Sequence, residues 1–268
     1  MFVFLSLVLS IAILAAIYRY SQYTDLKTER KFQLICKLKA LVPLLRQHRA
    51  ITHYSLSFGQ NKNEQLSMIH SKVDQLLNEI IATAHVDNKP MYRVLQNQLK
   101  QLSKTWKRST VSRNQLVHGK LMRQVLMSID DLFRLWLMDR DQEAAIEEYR
   151  DFWLGMIDAL DCLTQFRVSV STLDSNLGQQ RSIHYSDMMY RKLNKLSLVC
   201  PQAVASPMYS TAVHRLEALI ANPEPDMDRE SLYQLTSEIS EVIFSCYDSV
   251  LREMSVDSYL PINNAAMI

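Results

Sequence analysis

Two arginines occupy positions where the surrounding helical pattern predicts apolar side chains. Arg49 and Arg167, 118 residues apart, each fall in a run of apolar residues spaced three and four apart. Burying a guanidinium costs free energy unless an anion or hydrogen-bonding groups meet it. The pattern therefore predicts a site for a small anion. The two runs are Ile35, Leu38, Val42, Leu45, Arg49, Thr52 and Leu56, and Met156, Leu160, Leu163, Arg167 and Val170.

A pair of arginines suits a flat anion for reasons of geometry and charge. A guanidinium presents a planar fork of N–H donors, which matches a flat three-oxygen anion through paired hydrogen bonds. Two guanidiniums that face each other repel, and an anion between them removes that repulsion. Binding is therefore expected to tighten the packing between the two helices and to report occupancy as a change in helix spacing.

Two polar residues beside Arg49 are further candidates for this site. His48 could donate to an anion, and its structural alternative is a histidine at the edge of the core with one nitrogen satisfied. Thr52 could lend its hydroxyl, and its alternative is a bond back to the carbonyl four residues earlier. His118 lies in another apolar run, one step before Leu121, and reads as a core histidine or a pH-responsive group.

The two arginines also have a structural alternative. Each could pair with a carboxylate from a facing helix, or extend its stem along the core to reach water at a bundle end. A carboxylate beside each arginine would favour a protein-interaction scaffold, whereas a small cavity with unused donors would favour an anion site. The candidate carboxylates are Asp130, Asp131, Glu238 and Glu241.

Composition and periodicity together predict an all-α fold. Only 4 glycines and 7 prolines occur in 268 residues, which leaves little turn chemistry for β-hairpins. Gly59 and Gly178 are expected to end the first and fifth helices. Helical periodicity predicts eight helices, at about 25–57, 62–84, 90–106, 111–138, 142–174, 182–198, 207–221 and 229–255.

Eight helices joined by short connections predict two packed, up-down four-helix bundles. The first bundle is expected at about 25–138 and the second at about 142–256, so that residues 24–256 form one domain and 257–268 a short tail. The two arginine helices hold equivalent places, which makes one bundle a degenerate repeat of the other.

The amino-terminal residues 1–20 are predicted to form a transmembrane anchor. Residues 2–18 carry no charge and are apolar except for two serines, and a run of seventeen residues is at the short end of what spans a bilayer. No basic residue precedes them, as a cleavable signal would require, and eight lysines and arginines follow between 19 and 50. The positive-inside rule then places the body in the cytoplasm, on the inner membrane. An export signal is the alternative.

Several classes of function are disfavoured by the sequence. A net charge of +2 argues against a nucleic-acid surface. The four cysteines are far apart and lack metal-ligand spacing, which favours free thiols in a reducing compartment. No hydrolase, P-loop, zinc-protease or dinucleotide-binding motif occurs, nor the Glu-x-x-His of di-iron bundles. We therefore predict no catalytic site, no metal site and no cofactor.

Four segments resemble the family of nitrate- and nitrite-sensing (NIT) domains. Residues 44–50 (LLRQHRA), followed by Thr52, Tyr54 and Gly59, resemble the opening helix of that family. The other three segments are 117–122 (VHGKLM), 159–167 (ALDCLTQFR) and 235–239 (LTSEI) with Val242 and Ile243. All four fall in the order of the family and extend over nearly all of residues 35–255.

The resemblance implies an all-α sensory domain of two packed four-helix bundles that binds nitrate or nitrite through arginines, here Arg49 and Arg167. The chain departs from the family at Ala50, where a further arginine or glycine is common, and no usual output domain follows residue 256. We therefore expect a membrane-anchored cytoplasmic sensor that signals to a separate output protein. The alternative is a membrane-tethered helical scaffold, and the oligomeric state stays open between monomer and homodimer.

Overall fold

The all-α fold is confirmed in a computed structural model, which describes residues 2–222 and 228–256. This part of the chain contains helices and turns but no strand. Short 3₁₀ turns at Val86–Asn88 and Trp106–Arg108 flank α3. The helices are α1 Phe2–Phe58, α2 Asn63–Thr83, α3 Lys89–Thr105, α4 Val111–Met138, α5 Glu143–Val170, α6 Asn176–Val199, α7 Pro201–Val204, α8 Pro207–Ala221 and α9 Arg229–Val256.

Four long helices surround a common central core. Helix α1 runs antiparallel to both α4 and α9, and α5 runs antiparallel to the same two helices, so α1 and α5 lie diagonally across this core. Helices α2 and α3 pack outside α1 and α4, while α6 and α8 pack outside α5 and α9. The contacts that set these directions are His48–His118, Thr52–Asn114, Lys39–Asp248, Arg46–Glu241, Ser112–Ser171, Arg123–Asp161, Phe152–Tyr247 and Arg167–Thr236.

The predicted apolar runs form the buried faces of α1 and α5. Both arginines lie inside the core as expected from the spacing, with Arg49 7% exposed and Arg167 2% exposed. Leu56 and Leu160 are partly buried at the margins of the same core. The remaining members of the two runs are buried: Ile35, Leu38, Val42, Leu45, Thr52, Met156, Leu163 and Val170.

The two glycines expected to end helices behave differently. Gly59 follows α1 with φ +67°, a left-handed conformation that favours glycine, so the predicted end of that helix is confirmed. The prediction for Gly178 is wrong, because α5 ends at Val170 and Gly178 lies in the first turn of α6. There the hydroxyl of Ser175 accepts a hydrogen bond from the Gly178 N–H at 3.1 Å.

The expected transmembrane anchor at residues 1–20 is not supported. From Phe2 onward these residues begin the long helix α1, in which the apolar run gives way at Arg19 to polar residues. Across residues 2–222 and 228–256, no helix combines the length and the apolar character needed to cross a membrane. The predicted tail at 257–268 lies outside the described residues.

Gly178→Ala should destabilise the fold because a β-carbon there would overlap the backbone carbonyl of Thr172. Overpacking of this kind costs about 1–3 kcal/mol. Gly155, inside α5, has open space where its β-carbon would lie, so Gly155→Ala should instead stabilise by up to about 1 kcal/mol. Urea unfolding of both variants measures the difference, and equal effects would contradict this account of the turn before α6.

Candidate functional site

Arg49 and Arg167 line the same small cavity in the central core. Arg49 reaches it from α1 and Arg167 from α5, the two helices that lie diagonally across the core. The cavity has a volume of about 20 Å³, enough for about one water molecule. Its other lining residues are Gly119, Met122, Arg123 and Leu126 on α4, Ile157, Leu160, Asp161 and Thr164 on α5, and Phe244 on α9.

Arg167 is held in place by one residue of α9. Its Nε donates to the hydroxyl of Thr236 at 3.2 Å, and its Nη2 donates to the carbonyl of Thr236 at 2.7 Å. The Thr236 hydroxyl in turn donates to the carbonyl of Tyr233 at 2.7 Å. Two of the five N–H donors of Arg167 are thereby satisfied without any negative charge. Burial, and then the charge of Arg49, lower the pKa of Arg167 well below its ordinary value.

Arg49 is less completely satisfied than Arg167. Its Nε is buried and has no hydrogen-bond partner within the described part of the chain. Burial lowers the pKa of Arg49, and the nearby Tyr233 hydroxyl opposes that change by favouring the charged form. A buried N–H donor without an acceptor costs free energy. Among the described residues, the Nε–H of Arg49 is therefore a donor still available to a ligand.

No carboxylate among residues 2–222 and 228–256 forms an ion pair with either buried arginine. The four carboxylates considered from the sequence instead pair with arginines elsewhere. Asp161, which lines the cavity, pairs with Arg123 at its half-exposed rim. The pairs formed by the four carboxylates are Asp130–Arg134 at 3.7 Å, Asp131–Arg134 at 3.5 Å, Glu238–Arg215 at 2.8 Å, and Glu241–Arg46.

His48 belongs to a chain of three histidines that crosses from α2 to α4. Its Nδ1 lies 2.8 Å from Nε2 of His118, and its Nε2 lies 2.9 Å from Nε2 of His70. Nδ1 of His118 lies 2.8 Å from the carbonyl of Asn114, which can only accept. With all three rings neutral, each hydrogen-bond direction is therefore fixed: His70 donates to His48, which donates to His118. Both nitrogens of His48 are used in this chain, so neither is directed at the cavity.

Burial keeps this histidine chain neutral. It lowers the pKa of His48 to about 4, and the neighbouring His70 acts in the same direction. The pKa of His118 falls well below its ordinary value for the same main reason. Burial also lowers the pKa of the half-buried His70, with Asp74 opposing the change.

Thr52 joins α1 to α4. Its hydroxyl donates to the carbonyl of His48 at 2.8 Å and accepts from Nδ2 of Asn114 at 3.0 Å. This is the back-bonded arrangement considered from the sequence. Because the only proton of the hydroxyl is used within α1, Thr52 fixes the position of α4 and does not present a donor to the cavity.

His53 and Tyr233 stand beside the arginines and were not among the predicted site residues. Their rings stack with centroids 3.4 Å apart and an interplanar angle of 11°. Nε2 of Gln115 lies 3.1 Å from Nδ1 of His53. Burial, followed by the positive charges of Arg167 and Arg49, lowers the pKa of His53 to about 3.

A local signal for His53 existed, because it lies four residues after Arg49 and so shares its helix face. Tyr233 had no such signal, since it meets Arg49 only through the packing of α9 against α1.

Comparisons with protein-family models, with curated proteins and with solved structures found no match. The chemistry open to this site therefore follows from its own groups. It offers two inward-facing cations, an unused N–H donor and neutral hydrogen-bonding neighbours. No cluster of three or more histidine, cysteine or acidic side chains suited to a metal ion occurs in the described ranges. This chemistry suits the binding of a small anion.

Stability should fall as the pH is lowered from 6.5 toward 4. His48 and His53 have folded-state pKa values of about 4 and about 3, below the ordinary 6.5, so they stabilise the fold above pH 6.5. Below pH 6.5 each of these histidines is protonated in the unfolded chain but stays neutral in the folded one. Each then lowers the free energy of unfolding by about 1.4 kcal/mol per pH unit. Urea unfolding between pH 7.5 and 4.5 measures this slope.

Replacing one histidine tests whether the pH dependence of the free energy of unfolding comes from this site. His53→Phe keeps an aromatic ring against Tyr233 and should reduce the slope by about one histidine's share. The control is Tyr54→Phe, which alters an aromatic ring packed against His53 without removing a group that titrates between pH 4.5 and 7.5, so it should leave the slope unchanged. A wild-type stability that stays constant from pH 7 to 5 would contradict the neutral state of these histidines.

Proposed function

We propose that this chain is a sensory domain of the NIT type that binds a small oxyanion, nitrate or nitrite first, between Arg49 and Arg167. Helices α1–α4 and α5–α9 then form its two bundles, and the bound state passes to a separate partner protein. One observation carries the proposal: two buried guanidiniums face one cavity, and neither has a carboxylate partner in the described part of the chain.

Placing two like charges in one core costs free energy in two ways. Removing a cation from water costs several kcal/mol, and a second cation nearby adds repulsion. A purely structural arginine recovers this cost by pairing with a carboxylate. Here Asp130, Asp131, Glu238 and Glu241 pair with other arginines, which supports a sensor over the scaffold alternative.

The small size of the cavity implies that the helices around it must move when an anion binds. A volume of about 20 Å³ suits one water, so a planar three-oxygen anion must displace surrounding side chains. Met122 and Leu160 line this space, and methionine adapts its shape readily. Because the walls come from α1, α4, α5 and α9, accommodating the anion shifts these helices relative to one another. That shift is the signal in this mechanism.

Nitrate should stabilise the wild-type protein against unfolding. At a hundredfold excess over the dissociation constant, a single site contributes about 2.7 kcal/mol. Arg49→Met and Arg167→Met keep most of the side-chain volume, remove one charge each, and should abolish the stabilisation. The matched control is Arg150→Met, because Arg150 is exposed on α5 and pairs within that helix with Glu147.

Melting temperature and isothermal titration calorimetry, with nitrate, nitrite and chloride as separate ligands, measure the response. The absence of nitrate or nitrite binding by the wild type would refute the proposal. An equal response in Arg49→Met and Arg167→Met would refute the site. In buffer without these anions, Arg49→Met should be at least as stable as the wild type, since it removes a repelling buried charge.

Filling the cavity should block binding without loss of the fold. A β-carbon at Gly119 would lie 2.7 Å from Cγ2 of Thr164, at the wall of the cavity. Gly119→Ala should therefore weaken nitrate binding at least tenfold while keeping the helical circular-dichroism spectrum. Gly155→Ala places the same methyl group in open space on α5 and serves as the control. Unchanged nitrate affinity in Gly119→Ala would place the site elsewhere.

A further inference from the structure

The charge of this chain is strongly segregated along its sequence. Residues 88–129 hold nine lysines and arginines and no aspartate or glutamate. The other 226 residues therefore carry 21 basic against 28 acidic side chains. This segment comprises α3, the 3₁₀ turn after it, and two thirds of α4. One region of a nearly neutral protein is thus strongly positive.

The basic segment folds back on itself around a groove. The C-terminal half of α3 and the N-terminal half of α4 enclose a hollow of about 560 Å³, which we name the α3–α4 groove. Its apolar floor includes Leu102, Val117 and Leu121. The remaining lining residues are Gln98, Gln101, Thr105, Arg108, Ser109, Arg113, Lys120 and Gln124, so no lining residue is acidic.

The cations of this groove form no ion pair within residues 2–222 and 228–256. Arg108, Arg113 and Lys120 have no carboxylate partner in these ranges, whereas the neighbouring Arg123 of the same basic segment pairs with Asp161. A groove that collects three cations and excludes every carboxylate is therefore complementary to a negatively charged partner.

The exposed apolar side chains along the same helices indicate what kind of partner fits. Lys120, Gln124, Met127, Asp131 and Leu135 follow one another by three or four residues, so they share one face of α4. On this face Met127 is 48% exposed and Leu135 is 47% exposed. Exposed methionines and leucines favour contact with another protein's apolar surface, since nucleic-acid backbones make no use of them.

A second hollow extends the surface toward the other end of the two helices. It has a volume of about 520 Å³ and is lined by Met91 and Tyr92 of α3 and by Leu132 and Met138 of α4, among others. A cleft between two antiparallel helices, apolar at its floor, accepts the apolar face of a third helix. Residues 113–124 of α4 alone span about 17 Å, more than three turns of such a helix.

We propose that the α3–α4 groove binds an amphipathic helix of a partner protein, whose apolar face lies on Leu102, Val117 and Leu121 and whose flanking carboxylates meet Arg108, Arg113 and Lys120. The groove and the anion cavity lie on different faces of α4, since Gly119 and Arg123 line the cavity whereas Lys120 and Gln124 line the groove. The inference therefore holds whether or not the cavity binds nitrate.

The test uses the full chain and a labelled helical peptide of about 20 residues with leucines along one face and glutamates beside them. Fluorescence anisotropy measures its affinity. Arg113→Glu with Lys120→Glu should weaken binding at least tenfold. The fold should survive, because Thr110 caps α4 and accepts from the N–H of residue 113, where glutamate completes a capping box. Lys195→Glu with Lys72→Glu, exposed on α6 and α2, is the matched control.

Each other result would overturn the proposal. Equal binding of a scrambled acidic peptide that cannot form an apolar face would indicate only general attraction of charge. Tighter binding of a single-stranded RNA of equal charge would make the groove a nucleic-acid surface. Self-association that disappears in the charge-reversed variant would make a second copy of this chain the occupant. No binding of the acidic helix at millimolar concentration would exclude the site.

Discussion

Repulsion between two buried guanidiniums is the constraint around which the central core is organised. Arg49 and Arg167 reach one small cavity from helices that lie diagonally across that core, and Arg167 is held by the neutral Thr236. Thr236 and Tyr233, both on α9, supply oxygen atoms without supplying charge. Hydrogen bonding alone reduces the cost of burying a cation but does not cancel the repulsion between two. The core therefore retains repulsion between two positive charges, and the proposed anion would reduce it.

Burial and, for His53, the arginine charges keep the histidines around the site neutral. His53 lies close enough to the arginines for their charges to lower its pKa, in addition to the effect of burial. His48 and His118 are kept neutral mainly by burial, and their neutrality fixes the direction of every hydrogen bond in their chain. Neutral histidines can pack beside the two arginines, because they add no further positive charge to the core. The hydrogen bonds of the histidine chain between α1 and α4 thus depend on its rings staying uncharged.

Local patterns predicted the parts of this protein that depend on neighbouring residues in sequence. The limits of α4 and α8 match the ranges 111–138 and 207–221 that periodicity predicted. In the structure Thr110 caps α4, and Pro207 takes the first position of α8. The burial of both arginines followed from spacing alone. Gly178 was misassigned, because a glycine required by close packing inside a helix has the same sequence signal as one that ends a helix. The role of Tyr233 depended on the register of α9 against α1, which no local pattern contains.

Helix α4 contributes residues to both proposed binding sites, the cavity in the core and the α3–α4 groove on the surface. Gly119 and Arg123 form part of the wall of the cavity, and Lys120 and Gln124 form part of the wall of the α3–α4 groove. A helix moves as a nearly rigid unit, so a displacement that enlarges the cavity also alters the width of the groove. Coupling between two sites requires an element whose position both ligands favour differently. Helix α4 contributes to both hollows, so it is the element through which the proposed anion in the core would act on the proposed partner at the surface.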